Sequence, residues 1–206
     1  MNLDDLGLDE TLPLQRELIK SVLSSFMHEE NVVAGVLLGS LAAGTADRIS
    51  DADVLIFTQN NFHNDSNRCF QTFESGKEIF YCLGGAHSEN AYFRKYIFGD
   101  LTSAEIHCLD LSEPFEISKP FKVLFDKTGM VESRLTDIPA PKHEDFPTYV
   151  HGDKGLIWEL FDCIKWLSRD NNQLAKNYLK KLSETVNVCI TNASRGTVNA
   201  RRFQSH

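Results

Sequence analysis

The sequence predicts an α+β protein, with a mixed β-sheet flanked by helices over residues 1–137 and a small helical module over residues 144–206. In the first part, short apolar runs end at Gly, Ser, Asn or Asp, which is typical of buried strands. After the linker the hydrophobic period becomes helical, over residues 156–167 and 174–190. The charged stretch between the two parts predicts a linker because it contains a cluster of prolines, at Pro139, Pro141 and Pro147.

Helices and strands alternate at the start of the chain. Residues 11–30 place apolar side chains at four-residue spacing, which predicts an amphipathic helix with Thr11 as its N-cap. Two buried strands are predicted over Val32–Leu38 and Ala52–Thr58, because both runs are almost entirely apolar. Residues 41–47, between these strands, are rich in alanine and predict a short helix.

The middle of the sheet is predicted from three further runs. Residues 78–83 predict a strand, and Gly84-Gly85 directly after it predict the start of a loop. Residues 92–98 and 104–111 predict two strands that form a hairpin around Gly99-Asp100.

The last predicted strand, Phe121–Asp126, precedes the linker, and two helices in an antiparallel hairpin follow it. Residues after Thr191 are small and polar, so we expect this tail to fray. The acidic pair Glu159 and Asp162 could contact a cationic substrate, although one face of a helix is usually solvated. Aromatic residues at helical spacing predict the core of this module: Trp158, Phe161, Trp166 and Tyr178.

Composition and charge restrict the possible function. Of 206 residues, 42% are hydrophobic and 24% charged, which is ordinary for a globular protein. The net charge of −8 disfavours binding to duplex nucleic acid, whose phosphates an acidic surface repels. No apolar run approaches the roughly 20 residues of a membrane span, and no secretory signal is visible. The five cysteines lack a C-x-x-C spacing, so we expect reduced thiols and a cytoplasmic location. Because no run is long enough to span a membrane, we expect no membrane partner.

The polar residues between the first two strands point to chemistry. The first strand ends at Gly39-Ser40, and Asp51-Ala52-Asp53 begin the second strand after ten intervening residues. Side chains at alternate strand positions share a face, so Asp51 and Asp53 project together. Carboxylate oxygens of this kind are suited to Mg²⁺ or Mn²⁺, which predicts a metal site at these two residues.

A phosphate site is predicted beside this metal site. Gly39 lets the backbone approach a ligand, and Ser40 supplies a hydroxyl close to the amides of the next turn. The alternative interpretation is an ordinary turn followed by two solubilising charges at the edge of a strand. We favour the functional interpretation, because two carboxylates beside a buried strand are costly unless something compensates them.

This pattern of apolar strand, Gly-Ser, spacer and Asp-x-Asp resembles the signature of the DNA polymerase β-type nucleotidyltransferase superfamily. Residues 97–109 (IFGDLTSAEIHCL) and 122–135 (KVLFDKTGMVESRL) are similar to segments of the two-domain lincosamide nucleotidyltransferases. The resemblance implies a nucleotidyltransferase-type sheet, ATP or another NTP and Mg²⁺ as cofactors, with two ions bound, and a homodimer. It also implies that Asp51 and Asp53 bind metal while Glu105 acts as the base.

The residues themselves offer three carboxylates for the third catalytic position: Asp100, Glu105 and Asp110. Asp100 lies in a predicted turn. Only Glu105 has a second polar group, His107, on its own face of the strand. Glu105 and His107 are therefore the candidate catalytic residues. The alternative makes Glu105 an exposed strand charge and His107 its hydrogen-bonded neighbour.

Together these observations predict an Mg-dependent nucleotidyltransferase. We expect it to transfer a nucleoside monophosphate, AMP in the first instance, from an NTP to a hydroxyl of a small molecule. The resemblance suggests a lincosamide- or aminoglycoside-type antibiotic as this acceptor, and hence antibiotic resistance, although the helical module is short for the family. Two alternatives remain: a protein-modifying nucleotidyltransferase of a toxin–antitoxin pair, and a non-catalytic nucleotide-binding module.

Overall fold

The structure is a computed structural model that describes the backbone of residues 11–202, and the side chains of that range apart from Glu144 and residues 190–202. The chain divides into two compact units, one ending at Ala140 and the other beginning at Pro141. The helices are α1 (Pro13–Phe26), α2 (Gly39–Ala43), α3 (Asn67–Glu74), α4 (Leu156–Ser168) and α5 (Asn172–Arg202). The strands are β1 (Val32–Leu38), β2 (Ala52–Thr58), β3 (Ile79–Ser88), β4 (Ala91–Phe98), β5 (Ser103–Asp110), β6 (Ile117–Ser118), β7 (Phe121–Asp126) and β8 (Leu135–Thr136).

The first unit is built around a six-stranded sheet with the order β3-β4-β5-β2-β1-β7. β2 and β5 are parallel, and the other neighbouring strands of this sheet are antiparallel. The short strands β6 and β8 form a separate parallel pair. This mixed sheet, its flanking helices and the C-terminal helices confirm the predicted α+β class.

One face of the sheet is covered by helices α1 and α3. Alternate residues of β2 and β5 point into this buried layer, among them Val54 and Ile106, which are fully buried. The intervening residues of both strands point to the opposite face, where Leu55 and Leu109 belong to a second apolar cluster. The period of two along each strand therefore separates the helix-covered face from an opposite face, which carries the second apolar cluster and, near the start of β2 and β5, the side chains of Asp53 and Glu105.

Helix α1 is shorter than the sequence predicted. It begins at Pro13, which is tolerated in a first turn, and the N-cap position is Leu12 rather than Thr11. It ends at Phe26, whose carbonyl oxygen accepts a hydrogen bond from the Glu29 amide at 3.1 Å. This turn directs the chain into β1, which explains why the helix does not continue to residue 30.

Strand β3 is longer than predicted, because it continues through Gly84-Gly85 to Ser88 instead of ending in a loop. Gly85 lies opposite Phe93 of β4, and a Cβ atom at position 85 would lie 2.9 Å from that aromatic ring. A glycine in the strand therefore leaves room for a cross-strand aromatic ring, and the prediction of a loop at Gly84-Gly85 is wrong.

The turn after β7 is organised by one carboxylate. Asp126 accepts hydrogen bonds from the backbone amides of Thr128, Gly129, Met130 and Val131, at 2.8–3.2 Å. Burial tends to raise the pKa of Asp126, but these amides outweigh it and lower that pKa below its ordinary value. The Asp-x-Thr-Gly segment of this chain thus forms a stable turn.

The second unit consists mainly of α4 and α5, and its aromatic residues form the predicted core. The acidic pair of α4 is buried and bonded internally. Glu159 accepts hydrogen bonds from the Tyr149 amide at 2.8 Å and the Tyr178 hydroxyl at 3.0 Å, while Asp162 pairs with Lys165 at 2.7 Å. These contacts favour a structural role for both acids over contact with a cationic substrate.

The backbone of α5 continues to Arg202. Fraying of the tail after Thr191 stays a prediction. Residues 203–206 of that tail lie outside the described residues. Over residues 11–202, no helix combines the length and the apolar character needed to cross a membrane.

Candidate active site

The predicted catalytic residues converge where β2 and β5 begin. The parallel pairing of these strands places Asp53 directly beside Glu105. Both side chains lie on the face opposite α1 and α3, because their neighbours Ala52 and Ala104 belong to the helix-covered core. The two carboxylates thus come from residues 52 positions apart in sequence but adjacent in the sheet.

Asp53 lies against the backbone of Gly39. Gly39 follows β1 with a positive φ of +68°, and a Cβ atom at this position would lie 2.5 Å from Oδ2 of Asp53. Any other residue would collide with the carboxylate and would also resist this backbone conformation. The glycine therefore leaves space for an aspartate of the chain itself, which the sequence pattern did not predict.

Asp51 is fixed from the other strand. Its Oδ1 accepts a hydrogen bond from the hydroxyl of Ser103, the first residue of β5. Asp51 and Asp53 are both half-buried and precede or begin β2. Ser40, the second residue of α2, is half-buried as well and adjoins Gly39.

The donor atoms of Asp51 and Asp53 determine what kind of metal site this end of the sheet could form. Among residues 11–202, no group of three or more His, Cys, Asp and Glu is arranged to hold a metal ion. Mg²⁺ at nucleotide sites commonly binds one or two carboxylates together with substrate phosphates, so a complete protein cage is not needed. The hard oxygen atoms of Asp51 and Asp53 fit that kind of site.

Both oxygens of Glu105 have partners. Oε1 lies 2.9 Å from Nζ of Lys95 on β4, and Oε2 lies 3.2 Å from Nε2 of His107 on the same strand. The three side chains are only 17–20% exposed. Glu105 and His107 therefore share a face as predicted, in a polar cluster that water reaches only in part.

These partners set the charge of Glu105. Burial tends to raise the pKa of Glu105, but the hydrogen bond with His107 and the positive charge of Lys95 lower it well below its ordinary value. Glu105 is consequently a carboxylate throughout the neutral range. Such a group is a stable anion but a weak base while both partners remain in place.

The other two candidate carboxylates have structural partners. Oδ1 of Asp100 accepts hydrogen bonds from the amide and the hydroxyl of Thr102, at 2.9 and 2.6 Å. Asp110 accepts hydrogen bonds from the amide and hydroxyl of Ser112 and from the Asn61 amide. Of the three candidates, Glu105 is the one placed in register with Asp53.

The sequence reasoning missed Lys95 and His87. Counting outward from the predicted turn at Gly99-Asp100 would pair Lys95 with Ala104. The observed hairpin is centred on Asp100, so its register differs by one residue and pairs Lys95 with Glu105. The contact of His87 was not predicted, because the sequence placed the end of β3 before this residue. Its Nε2 lies 3.3 Å from Nδ1 of His107, and its ring stacks on Phe93 with centroids 4.4 Å apart.

Comparisons with known proteins give little further information. No family model matches the sequence, and no curated protein matches it. Among solved structures, a Helicobacter pylori protein described as a "putative nucleotidyltransferase" is similar at 11% identity and a TM-score of 0.33. That similarity covers 61% of this chain and 58% of the other, so it spans little more than half of that protein.

A second solved structure, JHP933 from Helicobacter pylori, is similar at 12% identity and a TM-score of 0.36. The similarity covers 96% of this chain and 100% of the other. Because the TM-scores and identities of both neighbours are low, the function proposed below rests on the residues of this chain.

The contact between Gly39 and Asp53 predicts a difference between two glycine substitutions. Gly39→Ala and Gly44→Ala both place a side chain at a positive φ, +68° and +72°, so each should lower the free energy of unfolding by about 1–2 kcal/mol. Only Gly39→Ala also displaces the Asp53 carboxylate, because nothing lies within 4 Å of a Cβ atom at Gly44. Urea unfolding and Mn²⁺ binding in the presence of ATP measure the two effects.

We expect Mn²⁺ binding to be lost in Gly39→Ala and retained in Gly44→Ala. Equal Mn²⁺ affinity in the two variants would show that the position of Asp53 is irrelevant to metal binding.

The ion pair between Lys95 and Glu105 predicts the effect of a second substitution. Lys95→Met should raise the pKa of Glu105, because burial then acts without the compensating charge. We expect the free energy of unfolding at pH 7 to fall by about 1–3 kcal/mol, the usual effect of leaving a buried polar group without its partner. The low pKa of Glu105 stabilises the folded wild type at pH values above about 4.3, the pKa of a glutamate in the unfolded chain. This stabilisation is lost as the pH falls below that value. The difference between variant and wild type should therefore narrow below about pH 4.

Carboxyl ¹³C NMR and urea unfolding at several pH values measure both quantities. Lys20→Met is the matched control, since Lys20 pairs with Glu17 on an exposed helix surface. An unchanged Glu105 pKa in Lys95→Met would contradict the ion pair.

Proposed function

We propose that this protein is an Mg-dependent nucleotidyltransferase that transfers a nucleoside monophosphate from an NTP to a hydroxyl group of a small molecule. The observation that supports this most directly is the register of Asp53 with Glu105 on adjacent parallel strands, with Asp53 packed against Gly39. A metal-binding carboxylate beside a candidate base is the arrangement that in-line attack on a phosphate requires. The resemblance of residues 35–57 to the nucleotidyltransferase signature supports the same reaction.

In this proposal, Asp51 and Asp53 hold Mg²⁺, with two ions as the expected number. When bound, Mg²⁺ would neutralise the charge that develops on the phosphate oxygens. Gly39 and Ser40 are the proposed contacts of the triphosphate, with ATP as the first nucleotide to test. The Ser103 hydroxyl holds Asp51 in place through Oδ1 of that carboxylate. Oδ2 of Asp51 is the oxygen that would face the metal ion in this proposal.

Glu105 is the proposed general base. It accepts the proton of the acceptor hydroxyl while that oxygen forms its bond to the α-phosphorus and pyrophosphate leaves with the electrons of the broken P–O bond. His107 orients the carboxylate through Oε2. The low pKa of Glu105 keeps it ionised at all physiological pH values, at the expense of basicity.

The acceptor is proposed from the sequence resemblance, which suggests a lincosamide- or aminoglycoside-type antibiotic and hence a role in antibiotic resistance. Modification of a protein hydroxyl and non-catalytic nucleotide binding are the alternatives. A homodimer stays a prediction.

One assay separates these possibilities. Pure protein is incubated with Mg²⁺, each NTP in turn and a panel of hydroxylated small molecules, and pyrophosphate release and product mass are measured. Acceptor-dependent pyrophosphate release with a product heavier by one nucleoside monophosphate supports the proposal. Label transferred only to added proteins would favour the protein-modifying alternative, and nucleotide binding without turnover would favour the non-catalytic one.

The metal assignment predicts the effect of Asp53→Asn. This change removes a charge from the proposed metal site and retains the side-chain shape, so kcat should fall by about 10²–10³-fold, the size expected for a main electrostatic stabiliser. The fold should persist, because the repulsion among neighbouring carboxylates decreases. Steady-state kinetics and thermal unfolding measure both, with the fully exposed Asp137→Asn as the control. Near-normal turnover in Asp53→Asn would exclude the metal role.

The base assignment predicts a pH profile. Because the pKa of Glu105 is depressed, wild-type kcat should remain flat on acidification until the pH is below about 4. Glu105→Gln should lower kcat by about 10²–10⁴-fold and leave nucleotide affinity within a few-fold. The His107→Asn substitution should lower kcat less than Glu105→Gln does. It should also retain the acidic limb, which is the fall of kcat at low pH. A His107→Asn profile without the limb, together with a Glu105→Gln profile that keeps it, would reverse the two roles.

A further inference from the structure

Helix α4 of the second unit buries all of its charged residues. These residues are Glu159, Asp162 and Lys165. Each charge is compensated within the unit, because Glu159 accepts two hydrogen bonds and Asp162 pairs with Lys165. The ammonium group of Lys165 also lies 5.1 Å from the centre of the Trp158 ring. The charged side chains of this helix therefore stabilise the interior of the second unit instead of facing water.

The exposed residues of α4 between Leu156 and Leu167 are all aliphatic. They form an aliphatic stripe of Ile157, Leu160, Ile164 and Leu167, in which each residue is 44–59% exposed. At 3.6 residues per turn, the four side chains lie within about a quarter of the circumference of the helix. The solvent face of a surface helix normally carries polar residues, and a continuous apolar patch there is typical of a contact surface for another macromolecule.

The spacing of the stripe favours a second copy of this chain as the partner. The intervals between its residues are three, four and three, so the pattern is the same when it is read in either direction. Two α4 helices that lie antiparallel about a two-fold axis at the level of Asp162 would therefore match. Ile157 would face Leu167 of the second copy, and Leu160 would face Ile164. This is the self-complementary contact that a two-fold interface requires, with the spacing of a coiled-coil seam.

The charges at the two ends of α4 favour the same arrangement. Exposed Lys154 precedes the helix and exposed Asp170 follows it, each eight residues from Asp162. An antiparallel pair brings Lys154 of one copy close to Asp170 of the other at both ends of the stripe. Opposite charges at the rim of an interface orient the partners, while the apolar centre supplies most of the affinity.

We infer that α4 is a dimerisation helix, through which two copies of this chain associate by their aliphatic stripes in an antiparallel pair. This inference goes beyond the proposed function, because it involves neither the metal nor the nucleotide. The family resemblance implied a homodimer without a surface, and the stripe assigns one from the residues of the chain. The contact is one helix of about 20 Å in length, so we expect a dimer that exchanges with monomer at micromolar concentrations.

Sedimentation velocity of the full chain tests the surface. The wild type should change from monomer to dimer between about 1 and 300 µM. Ile164→Lys should raise the dimer Kd by about 10-fold or more, because the two-fold axis places the new charge in the interface twice. The matched control is Ile138→Lys in the first unit, since Ile138 is 66% exposed and Ile164 is 59% exposed. Circular dichroism should show unchanged helix content in both variants.

Three results of this experiment would overturn the inference. A wild type that stays monomeric over the whole range would do so, whatever else the stripe contacts. A dimer that persists unchanged in Ile164→Lys would place the interface elsewhere. Equal weakening by Ile164→Lys and Ile138→Lys would show that added charge, and not the stripe, controls association.

Disulfide cross-linking tests the antiparallel arrangement. Leu160→Cys and Ile164→Cys are made separately in a chain whose exposed thiols are removed by Cys82→Ser and Cys189→Ser. On mild oxidation, an equimolar mixture should form the mixed disulfide between positions 160 and 164 faster than either variant alone forms its own, because a disulfide needs closely apposed Cβ atoms. Faster cross-linking of each variant with itself would indicate parallel helices and contradict the two-fold antiparallel pair.

Discussion

The site depends on the parallel pairing of β2 with β5 at the centre of the sheet. β2 is hydrogen-bonded to β1 on one side and to β5 on the other, and its apolar residues are almost completely buried. Because side chains alternate between the two faces, a slip of one residue would turn Asp53 towards α1 and α3. Burying an unpaired carboxylate in that apolar layer is very costly. The hydrophobic contacts of β2 thus determine the position of Asp53 and, through the register, its neighbour Glu105.

Two glycines allow close approaches that no other residue permits. Gly39 leaves the space in which the Asp53 carboxylate lies against the backbone between β1 and α2. Gly85 leaves space for the Phe93 ring and so lets β3 continue to the position where His87 contacts His107. The chemistry of the polar cluster is therefore fixed partly by residues that have no functional group.

The sequence predicted the elements whose signal is local. The bounds of β1, β2 and β7 follow from runs that are mostly apolar. The shared face of Glu105 and His107 follows from the period of two. The length of β3 could not be predicted in this way, because its two glycines resemble a loop until the ring of Phe93 is placed over one of them. The contact of Lys95 with Glu105 was not predictable, because the predicted turn at Gly99-Asp100 pairs Lys95 with Ala104, one residue away from its observed partner.

The fold and the polar cluster together make a specific claim: metal and triphosphate bind on the sheet face that holds Asp53 and Glu105. The most direct measurement is a crystal structure of the protein with Mn²⁺ and a non-hydrolysable ATP analogue, with the ion located by its anomalous signal. The account predicts an anomalous peak coordinated by the carboxylates of Asp51 and Asp53, with the triphosphate beside Gly39 and Ser40. A metal and nucleotide bound away from these four residues, with Asp53 still packed against Gly39, would contradict it.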